Sequence, residues 1–392
     1  MTARDDRTYD VVLLGATGFA GRLTAQHLAS RLPADARWAI AGRDEARLGE
    51  VRDALSLGAA TAPDVLVADS GERDSIQRLA AATRVVATTV GPYLEYGEPV
   101  VAACAEAGTD YVDLTGEPEF IDRMWLAHHA TAVLSGARIV HACGFDSVPH
   151  DLGAYFTVQQ LPAGVPITVS GVVRTNASLS GGTFHSALGQ FARAKQMRAA
   201  MAQRRAAEPR PTGRRARAAS GKVHRDADLG LWLVPLPTVD PFVVARSAAA
   251  LESYGPAFTY SHFAGLRKLR TLAGAGVGLG GLMVAAQIPP LRRAVASRIP
   301  AGTGPSQSRR DKSWFTVDFI GEGGGKRVHT QVRGGDPGYT ETAVMLGESA
   351  MSLAYDDNPA TSGQVTTAVA MGEHLLRRLQ DAGISFTVLD AG

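Results

Sequence analysis

Short apolar runs alternate with amphipathic stretches along the N-terminal part of the chain. Strands separated by helices, and apolar on both faces, are typical of a parallel sheet covered by helices on each side. The spacing therefore predicts an α/β domain with a doubly wound parallel sheet over residues 1–150. The strand-like runs are YDVVLL (9–14), WAIAG (38–42), DVLVA (64–68), RVVATTV (84–90), TDYVDL (109–114) and ARIVHA (137–142).

After Pro149 the strands follow one another without regular helices between them, which predicts a second α+β domain containing an antiparallel sheet over 151–334. We expect this domain to bind substrate and to mediate dimerisation. Helical periodicity then returns, and residues 335–392 are expected to pack back onto the first domain. The predicted strands are ITVSGVV (167–173), PFVVA (241–245), FTYSHF (258–263), SWFTVDFIG (313–321) and KRVHTQVRG (326–334), the last two joined by a GEGGG hairpin turn.

Two stretches of the second domain have unusual composition. The basic insertion, residues 193–225, has eleven Lys and Arg side chains and one acid, Glu208. It is interpreted either as a solvated, partly disordered loop or as a dock for an acidic partner such as an anionic membrane or a carrier protein. The apolar segment, residues 272–291, carries no charge between flanking basic residues. It suits a buried or subunit-interface helix, or insertion into one membrane leaflet.

Composition excludes several classes of protein. A formal net charge of +2 does not favour a nucleic-acid partner, and two cysteines cannot supply a disulfide framework or a thiolate zinc site. No metal-ligand spacing and no Ser/His/Asp arrangement is present, so no metal is expected. The acidic start of the chain does not resemble a secretion signal, so we expect a cytoplasmic protein, with association to the inner face of the plasma membrane as an extension of that expectation.

The most specific local motif is GATGFAG, which directly follows the first strand and opens a helix. In such a turn Gly15 permits the tight bend, Gly18 lets the backbone approach a pyrophosphate, and Gly21 allows the helix to pack against the strand. The motif predicts a Rossmann-type dinucleotide site, with Thr17 and Phe19 of the same loop among the cofactor contacts.

The second strand ends at Arg43, which is placed to pair with a 2′-phosphate and therefore predicts NADP(H) rather than NAD. Asp44 follows at once and is interpreted as the N-cap of the next helix. The fourth strand leads into a loop at the carboxyl edge of the sheet, where Thr89, Gly91 and Pro92 are predicted to contact the nicotinamide half of the cofactor.

Polar side chains gather at the predicted strand ends. Tyr93, Tyr111 and His185 are the candidate proton donors, and the backbone N–H groups of the Gly181-Gly182 turn could bind an oxyanion. Further polar residues at the predicted strand ends are expected to face the same crevice; among them the acids are interpreted mainly as helix caps and Cys143 as a core residue. They are Tyr96, Asp113, Thr115, Glu117, His141, Cys143, Asp146, Ser147 and His150.

Several long motifs together carry a family resemblance. The chain resembles the saccharopine dehydrogenase-like oxidoreductases, and within them the trans-acting enoyl reductase group of mycobacteria. The motifs are GATGFAG, AGRD, TTVGPYLEYGEPVVAACAEAGTDYVDLTGEP, HACGFDSVPHDLG, SGGT, GTGPS, GGDPGY and AMGEHLLRRLQDAGI.

The resemblance implies NADPH and reduction of a carbon–carbon double bond in an acyl or polyketide thioester made by a synthase that lacks its own competent enoyl-reductase module. The substrate is then expected on that synthase or on an acyl carrier protein, in lipid biosynthesis. Family residue roles carry over only to the three glycines and Arg43. Two alternatives stay open: a saccharopine-type imine dehydrogenase, and a non-enzymatic lipid-surface protein with a relic nucleotide fold.

Overall fold

The computed structural model of the protein describes residues 6–59, 61–177, 189, 192–209, 211–268, 288, 290, 291 and 304–391. The chain forms two compact units, and each is described by itself. Unit 1 comprises Met1–Phe145, Ala200–Ala207 and Tyr339–Ala382, and unit 2 comprises Asp146–Ala199, Glu208–Gly338 and Gly383–Gly392.

The strands, in chain order, are β1 (Tyr9–Leu14), β2 (Trp38–Gly42), β3 (Asp64–Val67), β4 (Thr83–Thr88), β5 (Asp110–Asp113), β6 (Arg138–Val140), β7 (Ile167–Thr175), β8 (Arg215–Ala219), β9 (His224–Asp226), β10 (Leu231–Pro235), β11 (Ala257–Leu266), β12 (Phe315–Gly323), β13 (Lys326–Gly334), β14 (Gly363–Val365) and β15 (Ser385–Ala391).

The helices are α1 (Phe19–Arg31), α2 (Glu45–Asp53), α3 (Arg73–Ala81), α4 (Tyr93–Tyr96), α5 (Glu98–Ala107), α6 (Pro118–Ser135), α7 (Val148–Val158), α8 (Ala194–Ala207), α9 (Asp240–Ala250), α10 (Gln307–Arg310), α11 (Thr340–Tyr355), α12 (Thr367–Ala370) and α13 (Gly372–Asp381).

Unit 1 is built on a parallel sheet of seven strands in the order β14-β6-β5-β4-β1-β2-β3. The central strand β1 is buried along its length, as expected for a strand with helices over both faces. The chain winds outward from β1 in two directions, through β2 and through β4. In such sheets ligands bind where the strand order reverses, beyond the carboxyl ends of the strands. The Rossmann-type fold predicted from the sequence is confirmed, and β1 and β4 mark its switch point.

Residues 339–382 complete unit 1, whereas β15 pairs with β13 in unit 2, so the prediction that 335–392 packs onto the first domain is wrong for β15. Helix α11 packs against α1, and β14 extends the sheet beside β6. On α11 the fully buried Glu348 lies beside three basic side chains, with its carboxylate 2.9 Å from His27 Nε2, 3.2 Å from Arg31 Nε and 3.4 Å from Arg378 Nη1. Burial alone would raise the pKa of Glu348, but the hydrogen bond and charge of His27 and the charges of Arg31 and Arg378 lower it overall.

We expect Glu348→Gln to destabilise the protein by about 1.5–3 kcal/mol, because hydrogen bonds to a charged group are lost in the interior. The pKa of Glu348 is lowered on folding, so its contribution is present above the unfolded pKa of about 4.3 and is lost as pH falls through the folded value. Urea denaturation at pH 7 and at pH 3 measures the free energy of unfolding and its dependence on pH. The exposed Glu373→Gln on α13 is the control, and an equal effect of both variants would contradict the assignment.

Unit 2 contains an eight-stranded mixed sheet in the order β15-β13-β12-β7-β11-β10-β9, with β8 also paired to β11. The predicted hairpin is present: β12 and β13 pair antiparallel up to Gly323 and Lys326. Gly324 and Gly325 have φ angles of +60° and +79°, as the two central residues of a type I′ turn require. The antiparallel prediction is incomplete, because β7 and β8 both pair parallel with β11.

Two further predictions for this domain are wrong. The run PFVVA, predicted as a strand, lies in α9, where Pro241 occupies the first turn and an alanine-rich stretch continues the helix. Of the two interpretations of the basic insertion, the partly disordered loop is wrong, because its described residues include α8, β8 and β9; a dock for an acidic partner stays a prediction. Arg204 of α8 belongs to unit 1 and is buried there against Asp122.

The apolar segment lies outside the described residues except for Ile288, Pro290 and Leu291. Among the helices of the part of the chain that the structure describes, none combines the length and hydropathy needed to cross a membrane.

Candidate functional site

The loop between β1 and α1 makes the tight turn expected of a dinucleotide site. Gly15 has a φ of +90°, a conformation that glycine adopts without strain, and its N–H donates to the Ala41 carbonyl at 2.8 Å. A Cβ atom at Gly15 would lie 2.8 Å from both Thr89 Oγ1 and Val90 Cγ2. The turn therefore requires glycine because another strand end packs directly against it.

The next two glycines of the motif have different surroundings. Among the described residues, a Cβ atom at the exposed Gly18 would meet only the Gly15 carbonyl oxygen, at 3.4 Å, which leaves space on that side of the backbone. At Gly21 a Cβ atom would lie 2.2 Å from the Gly15 oxygen and 2.9 Å from Ala16 Cα. Gly18 thus faces open space that a ligand can occupy, whereas Gly21 lets α1 pack closely on the loop.

Helix α1 begins directly at this loop. Its N-cap is Gly18, with no side-chain cap and no acidic residue in the first turn. The first N–H groups of a helix attract anions when no side chain occupies them. Arg22 Nε donates a hydrogen bond to the Thr17 carbonyl at 3.2 Å, which links the helix to the loop.

The end of β2 places the candidate phosphate-binding arginine. Arg43 follows Gly42 and is exposed. Asp44 caps α2, because its side chain accepts a hydrogen bond from the Arg47 N–H at 3.1 Å, and its interpretation as an N-cap is confirmed. The carboxylate is thus engaged with its own helix, and Arg43 is the cation that this strand end presents.

The loop after β4 is bonded to the glycine loop across the switch point. The Thr89 N–H donates to the Leu14 carbonyl and the Thr89 hydroxyl to the Gly15 carbonyl, each at 3.0 Å. Gly91 and Pro92, joined by a cis peptide bond, are exposed at the edge of unit 1. The structure therefore brings together the two loops that were predicted to contact the cofactor.

A buried carboxylate holds the far end of this second loop. Glu117 accepts hydrogen bonds from the N–H groups of Tyr93 at 3.2 Å and Leu94 at 3.0 Å, at the start of α4. The prediction that Glu117 caps the helix following it is wrong: it occupies the N-cap position of α6 without a side-chain bond there. Its carboxylate caps α4 instead, an earlier helix brought close by the fold.

Asp113, at the end of β5, is bonded to several parts of the chain. Its fully buried carboxylate lies 2.7 Å from His141 Nδ1 and 2.9 Å from the Tyr111 hydroxyl, and it accepts from the N–H groups of Thr115 and Ala142 at 3.0 and 2.9 Å. It does not act as a simple helix cap. Ala142 has a φ of +59°, a strained value for alanine, and the bond to Asp113 holds it there.

The two candidate tyrosines both lie in the core of unit 1. The Tyr93 hydroxyl donates to the Thr88 carbonyl at 3.1 Å and accepts from the Leu114 N–H at 3.1 Å. Tyr111 is fully buried, and its hydroxyl donates to Asp113. Burial and the nearby Asp113 charge raise the pKa of both phenols well above the usual value. Each hydroxyl is therefore engaged in bonds that shape the strand ends.

The polar residues predicted around the end of β6 divide between the two units. His141 and Cys143 belong to unit 1, where Cys143 is buried and its thiol donates to the Val140 carbonyl at 3.4 Å. Asp146 and His150 belong to unit 2, and the N-cap of α7 is Ser147 rather than Asp146.

Other predicted residues fall outside the described part of the chain: His185 and the Gly181-Gly182 turn. One neighbour of the glycine loop was missed. Tyr339, in the GGDPGY motif just before α11, stacks edge-on against Phe19 with ring centroids 4.7 Å apart. The glycine-rich motif was the sequence feature that could have pointed to it.

Comparison with known proteins extends these observations. Residues 11–140 match the model of the saccharopine dehydrogenase NADP-binding domain. A protein of Mycobacterium tuberculosis (strain H37Rv) that is provisionally named a trans-acting enoyl reductase is 40% identical over 410 residues, covering 97% of both chains. The trans-acting enoyl reductase of Mycobacterium leprae is 36% identical over 415 residues, again covering 97% of both.

Among solved structures, apo saccharopine dehydrogenase (L-Glu forming) from Saccharomyces cerevisiae matches with a TM-score of 0.57. The two chains are 12% identical, and the match covers 97% of this chain and 99% of the yeast chain. At 12% identity the match shows a similar fold and nothing further.

Proposed function

Because the chain belongs to the trans-acting enoyl reductase group of the saccharopine dehydrogenase-like oxidoreductases, we propose that it reduces the carbon–carbon double bond of an α,β-unsaturated acyl or polyketide thioester. The family resemblance predicted from the motifs is confirmed, and the protein is an NAD(P)-dependent oxidoreductase. The observation that carries the proposal is the similarity along the whole chain to proteins named for this activity.

The geometry of unit 1 fits the cofactor. Gly15 and Gly18 would hold the pyrophosphate at the start of α1, where a side chain at Gly18 would fill the available space. Arg43 would hold the 2′-phosphate, and the loop of Thr89, Gly91 and Pro92 would border the nicotinamide half. Thr17 and Phe19 belong to the same loop. When bound, NADPH supplies the hydride for the β-carbon of the substrate.

We expect wild-type protein to bind NADPH about tenfold or more tightly than NADH, because a charge-assisted contact from Arg43 contributes about 1.5–3 kcal/mol. Arg43→Ala should remove most of that preference. Fluorescence titration with both cofactors measures it, with Arg52→Ala, an exposed arginine at the far end of α2, as the control. Equal affinity of the wild type for both cofactors would refute the role of Arg43.

The α-carbon of the substrate must receive a proton. The phenols of Tyr93 and Tyr111 donate to protein acceptors inside unit 1 and have raised pKa values, which makes them poor acids. We therefore propose that both act as positioning residues for the strand ends. His185 stays the predicted donor, with the Gly181-Gly182 backbone as the predicted oxyanion site.

We expect His185→Asn to lower kcat by about 10²–10⁴-fold, the range for loss of a general acid, with NADPH affinity unchanged. Tyr93→Phe removes one core hydroxyl and should lower protein stability more than kcat at saturating substrate. Steady-state kinetics paired with thermal melting separates the two. If Tyr93→Phe lost as much kcat as His185→Asn while melting like the wild type, Tyr93 would be the donor.

The substrate class is tested by offering the purified protein NADPH with either a synthetic α,β-unsaturated acyl thioester or an amino acid plus a 2-oxo acid. The proposal expects NADPH oxidation with the thioester alone. Oxidation only with the second pair would assign a saccharopine-type imine dehydrogenase. Cofactor binding with both substrates inert over a range of acyl lengths would count against an enoyl reductase, and absence of any NADPH binding would favour a relic nucleotide fold.

The partners follow from the same proposal. We propose that the substrate arrives on a synthase or an acyl carrier protein, and that the exposed arginines of the basic insertion, such as Arg215 on β8, favour an acidic partner of this kind. No nucleic-acid partner is proposed. Cytoplasmic location, contact of the apolar segment with a membrane, and homodimer formation stay predictions.

A further inference from the structure

Three buried side chains of unit 2, far apart in the sequence, converge at one point. His150 lies on α7, Asp240 at the start of α9 and His262 on β11. They are between 2% and 4% exposed, and one ligand atom from each lies within 4.8 Å of the others. Neither the sequence spacing of these residues nor any local motif predicts the cluster.

Both imidazoles present the same nitrogen to the same carboxylate. His150 Nε2 is 3.3 Å from Asp240 Oδ1, and His262 Nε2 is 3.7 Å from Asp240 Oδ2. A charge-assisted hydrogen bond between such groups is about 2.7–2.9 Å long, so both separations are too long for good direct bonds. Ligand bonds of about 2.0–2.1 Å around a tetrahedral ion place neighbouring ligand atoms about 3.3 Å apart. The cluster is therefore spaced for an ion between its members.

The surroundings of the cluster suit metal ligands. The Tyr260 hydroxyl lies 3.1 Å from His262 Nδ1, an outer contact of the kind that orients a ligating histidine. Among the described residues, Asp240 Oδ1 has no hydrogen-bond donor.

We propose that His150, Asp240 and His262 bind one divalent transition-metal ion and form a structural site within unit 2. Zn²⁺ is the expected ion. Two imidazoles and a carboxylate form a donor set suited to Zn²⁺. The burial of all three side chains favours a structural over a catalytic ion, because catalytic ions keep a position open to substrate. The ion would tie α7, α9 and β11 together.

The test uses the full chain without an affinity tag, purified from zinc-supplemented cells. Elemental analysis should find about one zinc per chain that survives desalting. Removal with a chelator should lower the thermal midpoint, and Zn²⁺ should restore it. Replacement by Co²⁺ should give visible d–d absorption of an intensity typical of four-coordination. Wild-type protein with no bound metal, no thermal shift and no cobalt absorption would overturn the proposal.

Variants locate the ion. Asp240→Asn and His262→Gln should lose it, and Tyr260→Phe should retain it with about 10–100-fold weaker affinity, as loss of an outer contact predicts. The control is His329→Gln, which removes another histidine of unit 2, one that lies 3.0 Å from Asp318, away from the cluster. If the ligand variants fail to fold, the zinc affinity of Tyr260→Phe and the cobalt spectrum of the wild type show whether the cluster binds the ion. Equal zinc loss in His329→Gln and Tyr260→Phe would contradict the site.

Discussion

Gly18→Val is expected to abolish NADPH binding while leaving unit 1 folded. Within the part of the chain that the structure describes, a Cβ atom at Gly18 would meet only the Gly15 oxygen, at 3.4 Å, so a side chain fits there. The same side chain would fill the space in which the backbone approaches the pyrophosphate. Fluorescence titration with NADPH, accompanied by circular dichroism, measures both halves of this expectation.

Gly21→Ala is the matched comparison, because the same loop is altered by one carbon atom. Its Cβ would lie 2.2 Å from the Gly15 carbonyl oxygen, so α1 must shift away from the loop and the protein should lose stability. If Gly18→Val bound NADPH with wild-type affinity, the phosphate site would have to lie elsewhere. A Gly21→Ala protein with wild-type stability would show that α1 does not depend on this close approach.

The largest expected loss of stability comes from Asp113→Ala. The substitution leaves the Tyr111 hydroxyl, the His141 ring and the N–H groups of Thr115 and Ala142 without their shared acceptor in the core. A buried donor left without its acceptor costs about 1–3 kcal/mol, and several donors lose their acceptor at once. Urea denaturation followed by circular dichroism should show this loss, and cofactor binding should weaken because the strand ends are no longer held.

Asp64→Ala is the control for that experiment. Asp64 also accepts a hydrogen bond from a tyrosine, at 2.9 Å from the Tyr9 hydroxyl, but the pair is exposed. Its removal should cost no more than about 1 kcal/mol, because water replaces the lost contact. Comparable losses in Asp113→Ala and Asp64→Ala would mean that the buried carboxylate has no special structural role.

Local patterns were enough to predict much of unit 1. Its central strands are apolar and short, and each is followed by a helix, so periodicity and turn residues define them without distant contacts. The turn at Gly15 and the pair Gly324 and Gly325 were predictable for the same reason, since backbone conformation there depends on the residue itself. The helix at PFVVA was not, because a short apolar run fits a buried strand as well as a buried helix.

The contacts of the site depend on residues far apart in the chain. Glu117 was predicted to cap its own helix, yet it binds the N–H groups of Tyr93 and Leu94 more than twenty positions away. Asp113 meets His141 in the same manner. Sequence spacing cannot show which buried donor an acid will meet, because that is decided when the strands assemble. The predicted position of Tyr93 near the strand ends is correct, but the hydrogen-bond partners of its hydroxyl depend on packing that the sequence does not show.

In the proposed reaction the protein transfers a hydride from NADPH to a carbon–carbon double bond. The most direct measurement incubates the protein with NADPH deuterated at the transferring position of the nicotinamide and a synthetic α,β-unsaturated acyl thioester, followed by mass spectrometry. We expect a saturated thioester with deuterium at the β-carbon, and loss of that product in Gly18→Val. Recovery of unchanged thioester, with deuterium instead incorporated into a secondary amine in a parallel incubation with an amino acid and a 2-oxo acid, would contradict the proposed reaction.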